Sequence, residues 1–98
     1  MQRKFRNVCE HGDIKGVKRL LPKINPSVND NYAIKYASRH GNAEIVALLL
    51  QDSRVNPSAE RNYAIQWAVL ENHIDVAKLL LNDPRVEPSL YYYVRSIE

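Results

Sequence analysis

The sequence predicts an all-α fold, a solenoid of stacked helix–turn–helix units with projecting loops, and three observations support this prediction. Residues 31–58 and 62–89 are two copies of one pattern at a constant offset of 31 residues. Apolar residues within each copy follow helical spacing rather than alternation. Glycine, asparagine and proline separate the apolar segments at matching places. A fixed period of this length indicates units that bury their apolar faces against their neighbours.

A shorter copy precedes these two, and a broken copy follows them. Residues 11–13 match residues 40–42, and residues 24–27 match residues 55–58 after a two-residue deletion. The pattern starts again after Ser89. We therefore expect one repeat domain over residues 1–98, divided into a divergent repeat (about 1–27), two full repeats (about 28–58 and 59–89) and a partial unit (90–98).

The first helix of each unit is predicted from residues 32–40 of the second copy. Ala33, Ile34 and Ala37 recur at helical spacing. Gly41 follows at the position where a helix ends in the left-handed conformation, and Asn72 occupies the same place in the next copy. Glycine and asparagine tolerate that backbone geometry best, so both residues are predicted to end a helix.

A second helix is predicted over about residues 43–50, with Ile45, Val46, Leu49 and Leu50 in its buried stripe. Polar residues after Leu50 end it. Residues 55–58 and 86–89 are predicted to be extended, because proline disfavours the helical conformation of the residue before it.

At this point the sequence resembles the ankyrin repeat. From Ala33 to Leu50 it reads A-I-x-x-A-x-x-x-G-N-x-E-I-V-x-L-L-L, where the family usually has T-P-L-H-x-A-A-x-x-G-H-x-E-V-V-x-L-L-L. The similarity covers roughly residues 3–89, but the T-P-L-H segment is replaced by residues 32–35, with loss of the threonine–histidine hydrogen bonds of the family. The phrase D-P-R-V-x-P-S is similar to ankyrin proteins that are abundant in giant DNA viruses of amoebae and in amoebae.

The resemblance implies a non-catalytic protein–protein interaction module that binds another protein through its concave face, and a viral origin would make that partner a host factor. In the family, partners contact the loop tips and the exposed flank of each first helix. Carried over to this sequence, the partner-binding positions are Val28, Asn29, Asn31, Ala59, Glu60 and Asn62 at the loop tips, Glu10, His11, Arg39, His40, Leu70 and Glu71 on the helix flanks, and Tyr91 in the partial unit.

Two large apolar side chains require separate interpretations. Leu70 matches Arg39 of the preceding copy, so it is predicted to be exposed, either as an anchor for a partner or as an isolated surface leucine. Trp67 replaces Tyr36 on the inward side of the first helix, and we favour burial in packing over the alternative of a role in an interface.

No catalytic or metal-binding arrangement is found in the sequence. His11, His40 and His73 recur with the repeat, so their spacing follows from duplication. Cys9 and His11 point in different directions on one helix and do not form a nucleophile–base pair. With three glycines, the chain has no phosphate-binding loop. We expect no enzyme activity, no cofactor and no metal.

The charge distribution leaves an alternative function open. Residues 1–23 contain seven basic and two acidic side chains, whereas the rest of the chain is slightly acidic. A basic N-terminal end could bind nucleic acid or an anionic surface. It is equally the solvated outer face that a terminal repeat needs, and no aromatic residues alternate with the charges as base stacking requires.

Composition also bears on the setting of the protein. A lone Cys9, the absence of a signal-peptide apolar stretch and the absence of a membrane-spanning run predict an intracellular, cytoplasmic protein, in the host cytoplasm if viral. The last segment, with tyrosines at 91–93, is apolar for a terminal unit. This predicts a monomer capped by its own tyrosines, an end-to-end homodimer, a solenoid that a partner completes, or a piece of a longer array.

Overall fold

The computed structural model describes residues 2–86, which form three consecutive helix pairs. A short 3₁₀ helix, Leu21–Lys23, follows the second helix. No helix in this part of the chain is long and apolar enough to cross a membrane. The six α-helices are α1 (Gln2–His11), α2 (Ile14–Leu20), α3 (Val28–Arg39), α4 (Ala43–Leu50), α5 (Ala59–Leu70) and α6 (Ile74–Leu81).

The helix pairs stack into two rows that share one core. Helices α1, α3 and α5 form the first row, in which each helix contacts the next, and α2, α4 and α6 form the second. Phe5, Ile34 and Ile65 hold equivalent positions in the first row and are fully buried. Leu49 and Leu80 from the second row pack into the same core. The described residues measure 38 × 21 × 18 Å, and the predicted all-α repeat fold is confirmed.

The turns within the helix pairs have the predicted geometry. Gly41 has φ of +75° and Asn72 has φ of +60°, so both residues are left-handed. A methyl group on Gly41 would come within 2.6 Å of Nδ1 of His73, so the space favours glycine there in addition to the left-handed conformation, which asparagine also tolerates. Helix α4 spans the residues predicted for it.

The loops between the pairs differ from the prediction. Pro57 and Ser58 form a turn rather than an extended segment. Asn29–Asn31 and Glu60–Asn62 then make one left-handed turn each, with φ between 52° and 64°, before the right-handed part of α3 and α5 begins. Such a turn costs about 1–2 kcal/mol per non-glycine residue, and sequence spacing gives no sign of it.

Asparagine accounts for the way this turn is stabilised. The Asn31 amide donates to the Ser27 carbonyl at 3.0 Å, and its side-chain Oδ1 accepts from the Asn56 amide at 2.7 Å. Asn62 makes the same backbone bond to Ser58. Asparagine tolerates the left-handed region, which explains why it recurs at this position in both full copies, and at Asn31 it also supplies a side-chain acceptor.

An aspartate–arginine pair joins each loop to the loop of the preceding repeat, and we call this pair the Asp–Arg clasp. Arg54 donates Nε and Nη2 to both carboxylate oxygens of Asp52, at 3.0 and 2.7 Å, and its Nη1 donates to the Ile24 carbonyl at 3.2 Å. Arg85 pairs with Asp83 in the same way and donates to the Val55 carbonyl, which is equivalent to that of Ile24. The guanidinium fork satisfies a carboxylate and a neighbouring carbonyl together.

The clasp changes the acidity of its carboxyl groups. The hydrogen bonds from Arg54 hold the pKa of Asp52 below its usual range, and those from Arg85 do the same for Asp83. A carboxyl group with a depressed pKa stabilises the folded state when it is ionised.

A second contact between repeats lies at the turn of each helix pair. Asn42 donates Nδ2 to the Cys9 carbonyl at 2.7 Å, and Nε2 of His73 lies 3.0 Å from the Arg39 carbonyl. A carbonyl only accepts, so Nε2 carries the proton in this contact. These side chains satisfy carbonyl groups at the end of the preceding first-row helix, which lack partners within the helix itself.

Replacing the clasp arginine should weaken the stack without altering its charge. A lysine at position 54 cannot bind both Asp52 oxygens and the Ile24 carbonyl, so we expect Arg54→Lys to lower the free energy of unfolding. Urea denaturation at neutral pH measures the change. Arg19→Lys on α2 is the control, because Arg19 is exposed and its side chain makes no hydrogen bond to the described residues. Equal stability losses in the two variants would contradict the role of the clasp.

Acid should remove the contribution of the clasp carboxylates. The pKa values of Asp52 and Asp83 are lower in the folded state than the unfolded value of about 4, so their stabilisation is complete above that value and lost as the pH falls through the folded values. We expect the free energy of unfolding to decline in this range, and to decline less steeply in the Asp52→Asn/Asp83→Asn variant. Parallel pH profiles from urea titrations would show that these carboxylates are not the titrating groups.

Candidate partner-binding surface

Four aromatic side chains form a continuous row across the first-row helices. Tyr32 and Tyr36 on α3 have ring centroids 5.4 Å apart, and Tyr36 is followed by Tyr63 and then Trp67 on α5 at 6.1 Å each. The rings are tilted by about 45–52° to one another. This arrangement is favourable for aromatic pairs, so the row is held by its own packing. We call it the aromatic row.

Each part of the aromatic row has a cation from the preceding repeat above it. The Arg6 guanidinium lies 5.3 Å from the Tyr32 ring centroid and 6.0 Å from that of Tyr36. Arg39 lies 4.1 Å from Trp67, and its Nη1 donates to the Tyr63 hydroxyl at 3.3 Å. These distances are within the range of cation–π attraction.

Lys35 adds a third cation, which lies 5.3 Å from the Tyr63 ring. Its ammonium group forms an ion pair with Glu60 from the next left-handed turn. Arg6 in turn donates Nε to Glu10 at 3.1 Å, and this hydrogen bond raises the pKa of Arg6. The surface therefore combines aromatic rings with three cations. Two of these cations, Arg6 and Lys35, form an ion pair with a glutamate carboxylate.

The residues that the resemblance assigns to partner binding fall into four groups: exposed, partly buried, buried and outside the described residues. His11, Asn29, His40, Glu60, Leu70 and Glu71 are exposed, and Glu10, Val28, Arg39 and Asn62 are partly buried. Tyr91 lies outside the described residues. Asn31 and Ala59 are buried, with 8% and 7% of their surface exposed.

The burial of Asn31 and Ala59 corrects their assignment as loop tips. The left-handed turn brings the Asn31 side chain against the Asn56 amide, where it stabilises the loop instead of meeting solvent. The tips of the loops are the exposed Asn29-Asp30 and Glu60-Arg61 pairs. The exposed loop positions are therefore those of the outer part of each turn.

Leu70 is exposed, as predicted from its match to Arg39. It is the one large apolar side chain that stands out from the described surface, with 71% of its area accessible. Trp67 precedes it by three residues, so the two side chains share one side of α5. Trp67 is only partly buried, whereas burial in packing was expected. Arg39 of the preceding repeat covers one face of its ring.

Most of the aromatic row and its cations were not predicted from the sequence. The sequence does contain the signal, since tyrosine occurs at 32 and 63, an aromatic residue at 36 and 67, and a cation at 6 and 35 in equivalent positions. Repeat register alone does not show that the cation of one repeat lies above the rings of the next. That relation comes from the stacking of α1 on α3 and of α3 on α5.

Nothing within the described residues forms a chemically reactive centre. Burial raises the pKa of the free Cys9 thiol to about 12, which keeps it protonated and poorly nucleophilic. Burial likewise raises the pKa of the Tyr32 hydroxyl. No three histidine, cysteine or acidic residues of this part of the chain lie close enough together to hold a metal ion.

The comparison with known families agrees with the fold and with the helix and turn pattern. A family model described as ankyrin repeats, in three copies, matches residues 5–90. No curated protein and no solved structure matches the chain in these comparisons. Ankyrin repeats are generally protein–protein interaction modules and are typically not catalytic. Because the match covers most of the sequence, the chain belongs to the ankyrin-repeat family.

Proposed function

We propose that this chain binds a partner protein through the exposed sides of α1, α3 and α5 together with the outer residues of the loops, a surface that we call the first-row face. The observation that carries the proposal is Leu70, which is exposed on the same side of α5 as Trp67 and Tyr63, the two rings that Arg39 contacts. Tryptophan, tyrosine and arginine are the residue types that dominate binding energy at protein interfaces. An exposed leucine next to them gives a partner an apolar contact to bury.

The rigidity of this region supports the same proposal. Trp67 and Tyr63 pack on each other, and Arg39 contacts both, so the three side chains have restricted rotamers before any partner arrives. Side chains that are already ordered lose less conformational entropy on binding. The proposed surface keeps the exposed and partly buried positions of the family assignment and leaves out Asn31 and Ala59.

The source of the partner is inferred from the resemblance and not from geometry. The D-P-R-V-x-P-S phrase is similar to ankyrin proteins of giant amoebal viruses and of amoebae, so we propose an amoebal protein, a host factor if the chain is viral, as the partner. A lone buried cysteine suits a reducing compartment, which supports an intracellular setting.

Nucleic-acid binding at the basic N-terminal end is the second candidate function. The observation in its favour is that Arg3 and Arg6 line a cleft with Tyr32 and Tyr36, which places aromatic rings beside cations. Glu10 and the cation above both rings oppose it, because bases need open ring faces and phosphates avoid carboxylates. A steep fall of affinity with salt would support this candidate, and a flat profile would exclude it.

Substitution at the exposed leucine should separate binding from stability. Leu70→Asp combined with Arg39→Ala removes the apolar contact and the cation, so we expect the variant to lose the partner that the unaltered chain captures from amoebal lysate. The affinity for that partner, once purified, should fall at least tenfold, or about 1.4 kcal/mol. Isothermal titration measures the loss.

The matched control is Lys18→Ala with Lys78→Ala, two exposed cations on the second-row helices α2 and α6. It should bind as the unaltered chain does, and circular dichroism should show both variants folded. A partner retained equally by both variants would place the binding surface elsewhere.

A further inference from the structure

A cleft between α1 and α3 forms one end of the first-row face. Arg3 and Arg6 line it from α1, and Tyr32, Lys35 and Tyr36 line it from α3. Its volume is about 430 Å³. This lies within the range of about 300–1,000 Å³ that holds small ligands, so it is large enough for a side chain with adjoining peptide backbone. We call it the α1–α3 cleft.

The charge of the α1–α3 cleft has one sign. Three of its lining residues are cations, and none is a carboxylate. Glu10 and Glu60 pair with Arg6 and Lys35 from beside the cleft. Arg3 is exposed and forms no ion pair with any residue in the described part of the chain. An anion in the cleft would therefore meet an open arginine.

Arg6 presents the part of its guanidinium group that suits a carboxylate. Only Nε is used by Glu10, and the two terminal nitrogens make no hydrogen bond to the described residues. The rings of Tyr32 and Tyr36 beneath the guanidinium restrict its position. A guanidinium held in this way binds a carboxylate in a bidentate manner without first having to be ordered.

The same contacts favour a single carboxylate over a polyanion. Arg6 and Lys35 each pair with a glutamate carboxylate. Their surroundings therefore already accommodate a carboxylate. A nucleic-acid backbone would bring successive phosphates past Glu10 and Glu60. Tyr32 is 93% buried, since only 7% of its surface is exposed, and offers no face for a base.

We propose that the α1–α3 cleft binds an aspartate or glutamate side chain of an extended acidic segment in the partner protein. The carboxylate accepts hydrogen bonds from Arg3 and from the terminal nitrogens of Arg6, and the aliphatic part of the side chain packs on Tyr36. This inference rests on the proposed function and specifies the partner. The acidic residue lies at the α1 end of the first-row face, and an apolar residue of the same segment reaches Leu70 at the α5 end.

Selection from a displayed library of random peptides tests the assignment directly. The unaltered chain should enrich peptides with aspartate or glutamate at a fixed distance from an apolar residue. Arg3→Glu with Arg6→Glu should lose that acidic preference and select lysine or arginine at the same position. Lys15→Glu with Lys18→Glu makes the same charge change on α2, away from the cleft, and should keep the acidic preference.

Titration of one selected, fluorescein-labelled peptide gives the magnitude. We expect the Arg3→Glu/Arg6→Glu variant to bind it at least tenfold more weakly and the Lys15→Glu/Lys18→Glu variant to bind it within twofold of the unaltered chain. Thermal unfolding followed by circular dichroism shows whether each variant is folded. Replacing the peptide carboxylate by an amide should weaken binding to the unaltered chain by the same factor as the double charge reversal.

Other outcomes overturn the inference in distinguishable ways. If Leu70→Asp/Arg39→Ala abolishes peptide binding while Arg3→Glu/Arg6→Glu does not, the proposed function stands and the cleft is not its acidic site. If neither pair of substitutions matters, both proposals fail. A peptide that binds at least tenfold more tightly with phosphoserine in place of the acid, or a single-stranded oligonucleotide whose binding needs Arg3 and Arg6, assigns the cleft to phosphate and overturns the carboxylate assignment. A selection that enriches no peptide overturns it as well.

Discussion

Hydrogen bonds to carbonyl groups across the repeat boundary are the constraint on which the rest of this structure depends. The apolar core is continuous along the stack, but apolar contacts have no direction and do not fix how one repeat is set on the next. The Asp–Arg clasp supplies that direction at the loops, where Arg54 and Arg85 reach equivalent carbonyls of Ile24 and Val55. Asn42 and His73 supply it at the other end of each repeat. Together they set the offset between neighbouring helices of the first row.

The clasp also explains how the chain tolerates the loss of the T-P-L-H hydrogen bonds usual in its family. Residues 32–35 carry no threonine or histidine to tie the first helix to the loop. Here the left-handed turn makes that connection through Asn31, and the clasp joins the loops to one another. Strain in the turn is offset by hydrogen bonds that only this geometry allows. Tyrosine at position 32 is then free to serve the aromatic row.

The aromatic row is a consequence of the same stacking. On an isolated repeat, the cations and the aromatic rings would be surface groups without contact to one another. Once α1 lies against α3, and α3 against α5, Arg6 is above Tyr32 and Tyr36, and Arg39 is above Trp67. The surface proposed for binding is thus built from pairs of repeats, and its two ends differ in character. The α1 end is cationic, and the α5 end presents Leu70.

The sequence by itself determined the fold class, the period and the turns within the helix pairs. The 31-residue repeat, the helical spacing of apolar residues and the glycine or asparagine in each turn were sufficient, because each is a local requirement that any stack of such units must meet. It also placed Leu70 on the surface by register. Only the tertiary structure decided that Asn31 and Ala59 are buried, that Trp67 is partly exposed and that cations cover the rings. These features depend on the rotation of one repeat relative to the next. That rotation is set by hydrogen bonds between residues 24 to 35 positions apart in the sequence. The periodicity of a single segment of the chain does not predict this rotation.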